Sequence, residues 1–248
     1  MLTIPTDARP ELRRWFAPER PGPLIFEHVA RTGRGRCRVD RWPDPRVVLA
    51  ELPGNYALRG DPGYLADGDL DDVAGFVEAP PEWLPALRAL DPATAVWARL
   101  VAALPEAVAV PPPARDVRLL TAADAPALAA LDEESAWIHE TWGGPEVLAA
   151  AEVAYGATAG GGLASVAVPF YVGGGHEDIG VVTVPAQRRR GLSAACAAAL
   201  IADVRARGRT PTWTTSPDNT ASLAVAARLG FVPVRDDVLY AVRTAVPG

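Results

Sequence analysis

Three groups of residues could do chemistry at one place. Arg188, Arg189 and Arg190 run directly into Gly191 and a long Ala-rich stretch. His176, Glu177 and Asp178 stand just ahead of an apolar run, residues 179–184, that ends at Pro185. Asn219, one of two asparagines, opens a further helical stretch. An Arg–Gly turn between a strand and a helix is a place to hold an anion. The first four N–H groups of a helix have no internal partner and carry roughly half a positive charge. Gly191 lets a phosphate approach the backbone without a Cβ in the way, and the arginines add charge. A carboxylate at the head of the strand offers a general base. Adjacent strand residues point to opposite faces, so at most one of Glu177 and Asp178 faces a substrate.

The elements that must position these groups follow from pattern. The β-branched run at 179–184 reads as a buried strand, and Pro185 ends it because it cannot donate to a ladder. Residues 187–190 form a turn, and the helix from Gly191 closes at Gly208 with Arg205, Arg207 and Arg209 near its end, where cations are favoured. Before this core, residues 117–120 read as a strand, with Thr121 as N-cap of a helix at 123–131. A helix follows at 145–154, and strands at 155–158 and 163–171 flank a triple glycine at 160–162. After it come a strand at 212–215, a helix at 219–229, and strands at 231–234 and 238–242. In the first part, residues 24–29 and 46–52 read as strands, 56–58 as a hairpin return, and 81–104 as helical with a break at Asp91-Pro92. The prolines Pro111, Pro112 and Pro113 mark a linker at 111–115 between an N-terminal unit, 1–110, and a second unit, 116–248.

Composition removes several classes of function. The chain contains no Lys, which rules out a Walker loop, a pyridoxal-phosphate Schiff base and a Lys nucleophile. The 187–191 turn has one Gly where a dinucleotide fingerprint needs three. Cys37 and Cys196 are unpaired in pattern, and without C-x-x-C or H-E-x-x-H no metal is expected. A net charge of −6 argues against nucleic acid as a partner. No signal peptide or membrane span is legible, so a cytoplasmic protein is expected.

The run Arg188-Arg189-Arg190-Gly191-Leu192-Ser193 resembles the R-x-x-G-x-G/A acyl-CoA loop of the GNAT superfamily of N-acetyltransferases, with Ser193 where Gly or Ala is usual. Asn219, Ser222 and the Leu229-Gly230-Phe231 ending resemble that family's N-x-x-A/S…L-G-F helix. The resemblance covers residues 116–243, and the upstream part is similar to the N-terminal part of a two-part GNAT subfamily. It implies an α+β fold: a mixed, mostly antiparallel sheet flanked by helices, with a smaller N-terminal α/β unit.

The resemblance also implies a chemistry, acetyl transfer from acetyl-CoA to a primary amine of a small molecule or peptide, with no metal. Arg188, Arg189, Arg190, Gly191, Leu192, Ser193 and Ala194 would cradle the pyrophosphate. Backbone groups of Val182 and Val184 would pair with the pantetheine arm, and Asn219 and Ser222 would stand near it. Asp178 aligns with an acidic position of the subfamily and Glu177 is the neighbouring choice; a solvated strand end is the plain reading of either. Many members carry a Tyr seven positions after the Asn, as leaving-group acid. Here that position is Ala226, and Tyr240 is the substitute considered. The segment 133–142 would border the acceptor, its acidic and Trp residues suiting a cationic amine or merely anchoring a loop. The N-terminal unit would shape the acceptor pocket or an oligomer interface, a homodimer included. The alternative is an acyl-CoA-binding module that has lost catalysis, for which Ala226 is the motive.

Overall fold

The computed structural model describes residues 1–112 and 116–247. The first half of the chain supplies strands β1 (Leu2–Ile4), β2 (Arg36–Val39), β3 (Val47–Leu52), β4 (Asn55–Gly60), β5 (Gly75–Glu78) and β6 (Ala95–Ala103), with helices α1 (Ile25–Thr32) and α2 (Leu84–Leu90). The second half supplies β7 (Val117–Leu119), β8 (Tyr155–Ala159), β9 (Gly162–Val172), β10 (His176–Thr183), β11 (Thr210–Thr215) and β12 (Val232–Val242). Its helices are α3 (Ala125–Ala129), α4 (Pro145–Ala151), α5 (Leu192–Ala206) and α6 (Thr220–Leu229).

All twelve strands share one sheet, in the order β1-β2-β3-β4-β5-β12-β6-β11-β10-β9-β8-β7. The two ends mirror each other. β1 to β4 pair antiparallel in sequence and β4 pairs parallel with β5. β7 to β10 do the same and β10 pairs parallel with β11. Each half then sends its last strand across: β6 pairs with β11, β12 with β5, and the two crossed strands pair with each other. The fold is thus α+β with a mostly antiparallel sheet flanked by helices, as expected.

Three element readings change. Residues 25–32 form α1, because Ile25, Phe26 and Val29 share one buried side against the first half's sheet. Residues 95–103 form β6 between β11 and β12; the helix read at 81–104 holds only through α2. Two neighbouring strands supply ladder partners that override the Ala-rich local preference. The two strands read at 231–234 and 238–242 are one strand, β12 (Val232–Val242), with an irregularity between Pro233 and Arg235. Part of the linker, Pro113, Ala114 and Arg115, lies outside the described residues.

α5 packs through Cys196, Ala197, Leu200, Ile201 and Val204 against the sheet. Small residues let it lie close to β9 and β10, and Cys196 is a buried free thiol in that layer. No helix among the described residues is long and apolar enough to cross a membrane.

Candidate active site

β10 sets the site. Its ladder to β11 stops at Asp178, opposite Thr212, while its ladder to β9 continues to Thr183. An irregularity on β9 between the partners of Asp178 and Ile179 marks the same point, where extra residues bend a ladder. Beyond Asp178 the two parallel strands part and expose backbone groups along one side of β10. Gly175 O accepts from Thr210 N at 2.8 Å on the β11 side, and Val184 N donates to Ala164 O at 3.0 Å on the β9 side. Backbone groups alternate along a strand, so Ile179, Val181 and Thr183 face the opening. Val182 and Val184, the residues expected there, turn to β9 and are one position out of phase.

Alternation also separates the two carboxylates. Glu177 is fully buried, with Arg207 on both its oxygens and Arg209 on Oε1. It anchors the end of α5 through two arginines on the face away from Asp178, a structural place that departs from its expected role as a base. Asp178 points to the other face and is 4% exposed. Thr212 Oγ1 and Thr214 Oγ1 donate to its Oδ1 at 2.8 and 2.9 Å. Burial raises its pKa to about 6, against the pull of those two hydrogen bonds and of Arg99 and Arg235.

On the opposite face lies the Arg–Gly turn. Residues 185–187 make one 3-10 turn, Arg189 has φ 63° and Gly191 φ 78°, and α5 begins at Leu192. Left-handed residues at alternate positions turn successive N–H groups toward one concavity. The first intrahelical bond runs from Ala195 N to Gly191 O, so the N–H groups of Leu192, Ser193 and Ala194 lie ahead of it. A Cβ at Gly191 would meet nothing within 4 Å, which leaves room for a phosphate. Arg188 Nε holds Thr183 O at 3.2 Å, its guanidinium also pairs with Glu134, and Arg190 reaches Gln187. Ser193 uses its hydroxyl on Thr183 Oγ1 at 2.7 Å, and Thr183 meets Ser165 at 2.8 Å. The unusual Ser thereby ties the first turn of α5 to β10.

Asn219 caps α6, its Oδ1 accepting from Ser222 N at 3.0 Å. That leaves its Nδ2 free to donate, while Ser222 Oγ accepts from Trp213 Nε1 at 2.9 Å. Ala226 is buried in the core between α5 and the sheet. Tyr240 is buried with Val77, Trp83 and Leu87 in the first half, opposite Val96 on β6, whereas Val101 of that strand faces Thr214. It does not reach the opening, which corrects its expected role as acid.

Two residues not read from the sequence do reach it. Tyr171 is the register partner of Asp178, and its hydroxyl donates to Asn55 Oδ1 at 2.7 Å. Burial raises its pKa well above the usual tyrosine value. Arg99, on β6, donates from Nη2 to Thr214 O at 3.1 Å. A charged residue amid the apolar run 96–102 was the available signal.

Residues 136–142 cover the same face. A Cβ at Gly180 would come within 3.2 Å of Ile138 and 3.3 Å of Trp137. Trp137 packs edge-on to Phe170, and Trp142 Nε1 donates to Pro169 O at 2.9 Å, so both tryptophans serve as anchors. His28 of α1 holds the segment, its Nε2 meeting Thr141 O at 3.0 Å while Nδ1 accepts from Val172 N. Burial pushes its pKa down to about 4, so it is neutral, with the proton on Nε2.

Comparison with known proteins identifies the family and the fold. Residues 104–240 match the model of the GNAT acetyltransferase family. The chain is 44% identical over 212 residues to an uncharacterised N-acetyltransferase in the mutA 5′ region of Streptomyces virginiae, covering 84% of this chain and 90% of that one. A GCN5-related N-acetyltransferase-like protein of Streptococcus suis shares the fold at TM-score 0.71 and 19% identity, over 95% of this chain and 98% of its own. A tandem GNAT protein from the clavulanic acid biosynthesis pathway does so at TM-score 0.51 and 14% identity, over 96% of each chain. The chain belongs to the GNAT acetyltransferase family and is an acyltransferase of the N-acetyltransferase type.

Proposed function

We propose that acetyl-CoA enters between β10 and β11 and that its acetyl group passes directly to a primary amine approaching from the Asp178 face. The single observation carrying this is that the parted strands lead from the Arg189–Ala194 turn on one face to a buried carboxyl with a raised pKa on the other. The pyrophosphate sits on the N–H groups of Leu192, Ser193 and Ala194, with Arg188, Arg189 and Arg190 adding charge. The pantetheine arm pairs with Val181 and Thr183 like an added strand, and Asn219 donates to it. In the same reading the chain comprises an accessory unit, 1–110, and a catalytic unit, 116–248, joined at 111–115.

An alkyl amine with a Lys-like pKa is neutral about once in 10³ molecules at pH 7, a cost of roughly 4–5 kcal/mol. Asp178 takes one proton of the ammonium and releases it to solvent, the neutral amine nitrogen bonds to the thioester carbon, and the nitrogen's second proton then passes to Asp178. A group with pKa about 6 is ionised at neutral pH yet basic enough for the task. The C–S bond breaks and CoA leaves as thiolate. A thiol of this kind has a pKa of about 8.5, so it leaves without a dedicated acid and takes its proton from water, consistent with Ala226 and with Tyr171 being engaged by Asn55.

Thiol release from acetyl-CoA against a panel of amines tests the reading. Turnover is expected, with an acid limb near pH 6. Asp178→Asn is expected to bind acetyl-CoA normally and to lose about 10²–10⁴-fold in kcat. Unchanged kcat in that variant would refute Asp178 as the base.

A further inference from the structure

Arg99 is a half-buried cation that forms no ion pair among the described residues. Its guanidinium lies 4.0 Å from the centroid of the Trp97 ring, two residues back on the same face of β6, and Trp97 packs on Phe76 at 5.0 Å. The side chain is therefore held in place from the first half of the chain. Nη2 is used by Thr214 O, but Nε is buried and donates to nothing among the described residues. Asp237, its partner across the ladder to β12, is paired at 2.7 Å with Arg235 instead. Burial is the largest influence on the Arg99 pKa and pulls it down; the fields of Asp178, Tyr171, Asp218 and Asp237 oppose this only in part.

Drawing a charge partly out of water without an ion pair is costly, and the orphaned buried Nε calls for an explanation. The planar guanidinium fork fits a carboxylate. Its place is informative, because Thr214 touches both charges of the site: its Oγ1 donates to Asp178 and its carbonyl accepts from Arg99. The base and the unpaired cation thus stand on either side of one residue. An acceptor that is amine at one end and carboxylate at the other matches both, whereas a diamine would set a second positive charge beside Arg99.

We propose that Arg99 is the carboxylate-binding residue of the acceptor site and that the acceptor is an amino acid. The inference rests on amine acetylation at Asp178 as described above. The carboxylate docks on the free edge of the guanidinium, and the amino group is left facing Asp178 and the thioester.

The test measures kcat and KM for a panel of amino acids, each beside its own carboxamide, with wild type, Arg99→Gln and Arg99→Lys. Wild type is expected to favour at least one acid over its carboxamide by about 10- to 100-fold in kcat/KM. Arg99→Gln should raise KM for that acid at least tenfold and leave the carboxamide unchanged, and Arg99→Lys should recover part of the difference. Equal loss on acid and carboxamide would make Arg99 a general electrostatic or structural element and overturn the proposal. So would a wild type that uses carboxamides as well as acids, a comparison that needs no variant to fold. Acetyl-CoA titration of Arg99→Gln, expected to match wild type, certifies the fold. Acetylation of other amines but of no amino acid overturns this inference alone; no thiol release with any amine refutes the transfer reading beneath it.

Discussion

The two halves of the sheet connect equivalent parallel strands in opposite ways. Between β10 and β11 the chain makes the Arg–Gly turn and the fifteen-residue helix α5. Between β4 and β5 it makes only a three-residue 3-10 turn at Pro62–Tyr64. The charges are reversed as well. Arg188, Arg189 and Arg190 line one connection; Asp61, Asp67, Asp69, Asp71 and Asp72 line the other. Those acids are largely spoken for: Asp61 accepts from Gly63 N, Asp69 takes the N-terminal amine at 2.6 Å, and Asp72 meets Arg38 at 2.7 Å. β4 also runs on past its ladder to β5, which ends at Ala57 opposite Glu78. There Trp83 Nε1 donates to Gly60 O at 3.1 Å, from a side chain with no exposure. One strand frame therefore carries an Arg–Gly turn beside an open strand edge in one half and a filled, acidic seam in the other. In the proposed function, binding follows the connection and not the frame.

The comparison can be broken at several points. Trp83→Ala should have the largest effect, removing a fully buried aromatic for about 3–5 kcal/mol. The midpoint of denaturant unfolding should fall accordingly, while acetyl-CoA affinity of the folded protein stays at the wild-type value. A matched pair of added carboxylates comes next. Gly191→Glu places charge and strain at φ 78°, and calorimetry should show affinity for acetyl-CoA at least about 100-fold lower, an effect of about 3 kcal/mol. Gly63→Glu, in the short connection, should leave that affinity unchanged; equal effects would erase the distinction between the halves.

Asp178 supplies a third point, in stability. Its pKa rises on folding from 3.8 to about 6, so the native state holds the proton more tightly than the unfolded chain. Stability from this group is full below the unfolded pKa and is lost as pH rises through about 6. Ionised and buried at neutral pH, it costs roughly 3 kcal/mol. Asp178→Asn should therefore be the more stable protein by up to that amount above pH 6. The advantage should close as pH falls toward 4, in urea unfolding followed across that range. A constant difference at all pH values would contradict the buried, raised carboxyl.

Legibility in the sequence followed the same division. In the second half, strand, turn and helix each agreed with local pattern; the Arg–Gly turn and the pair Glu177 and Asp178 stood out by residue type, and the family resemblance preferred Asp178. The phase of β10 did not: whether 181 and 183 or 182 and 184 face the opening depends on which residues β9 engages. In the first half, tertiary partners decided. The apolar run at 24–29 has strand-like residues but packs as helix α1, and Ala-rich 95–103 has helix-like residues but lies between β11 and β12. Because β6 read as a helix, Arg99 drew no reading, and only the crossed-strand topology brings it to Thr214 beside Asp178. Tyr240 failed for the converse reason: a long continuous β12 carries it away from the opening into the first half.

The most direct test of the account is calorimetric titration of the whole chain with acetyl-CoA. One site per chain is predicted, weakened at least about 100-fold in Gly191→Glu. No binding, or two sites per chain, would contradict the assignment of the cofactor groove to the second half alone.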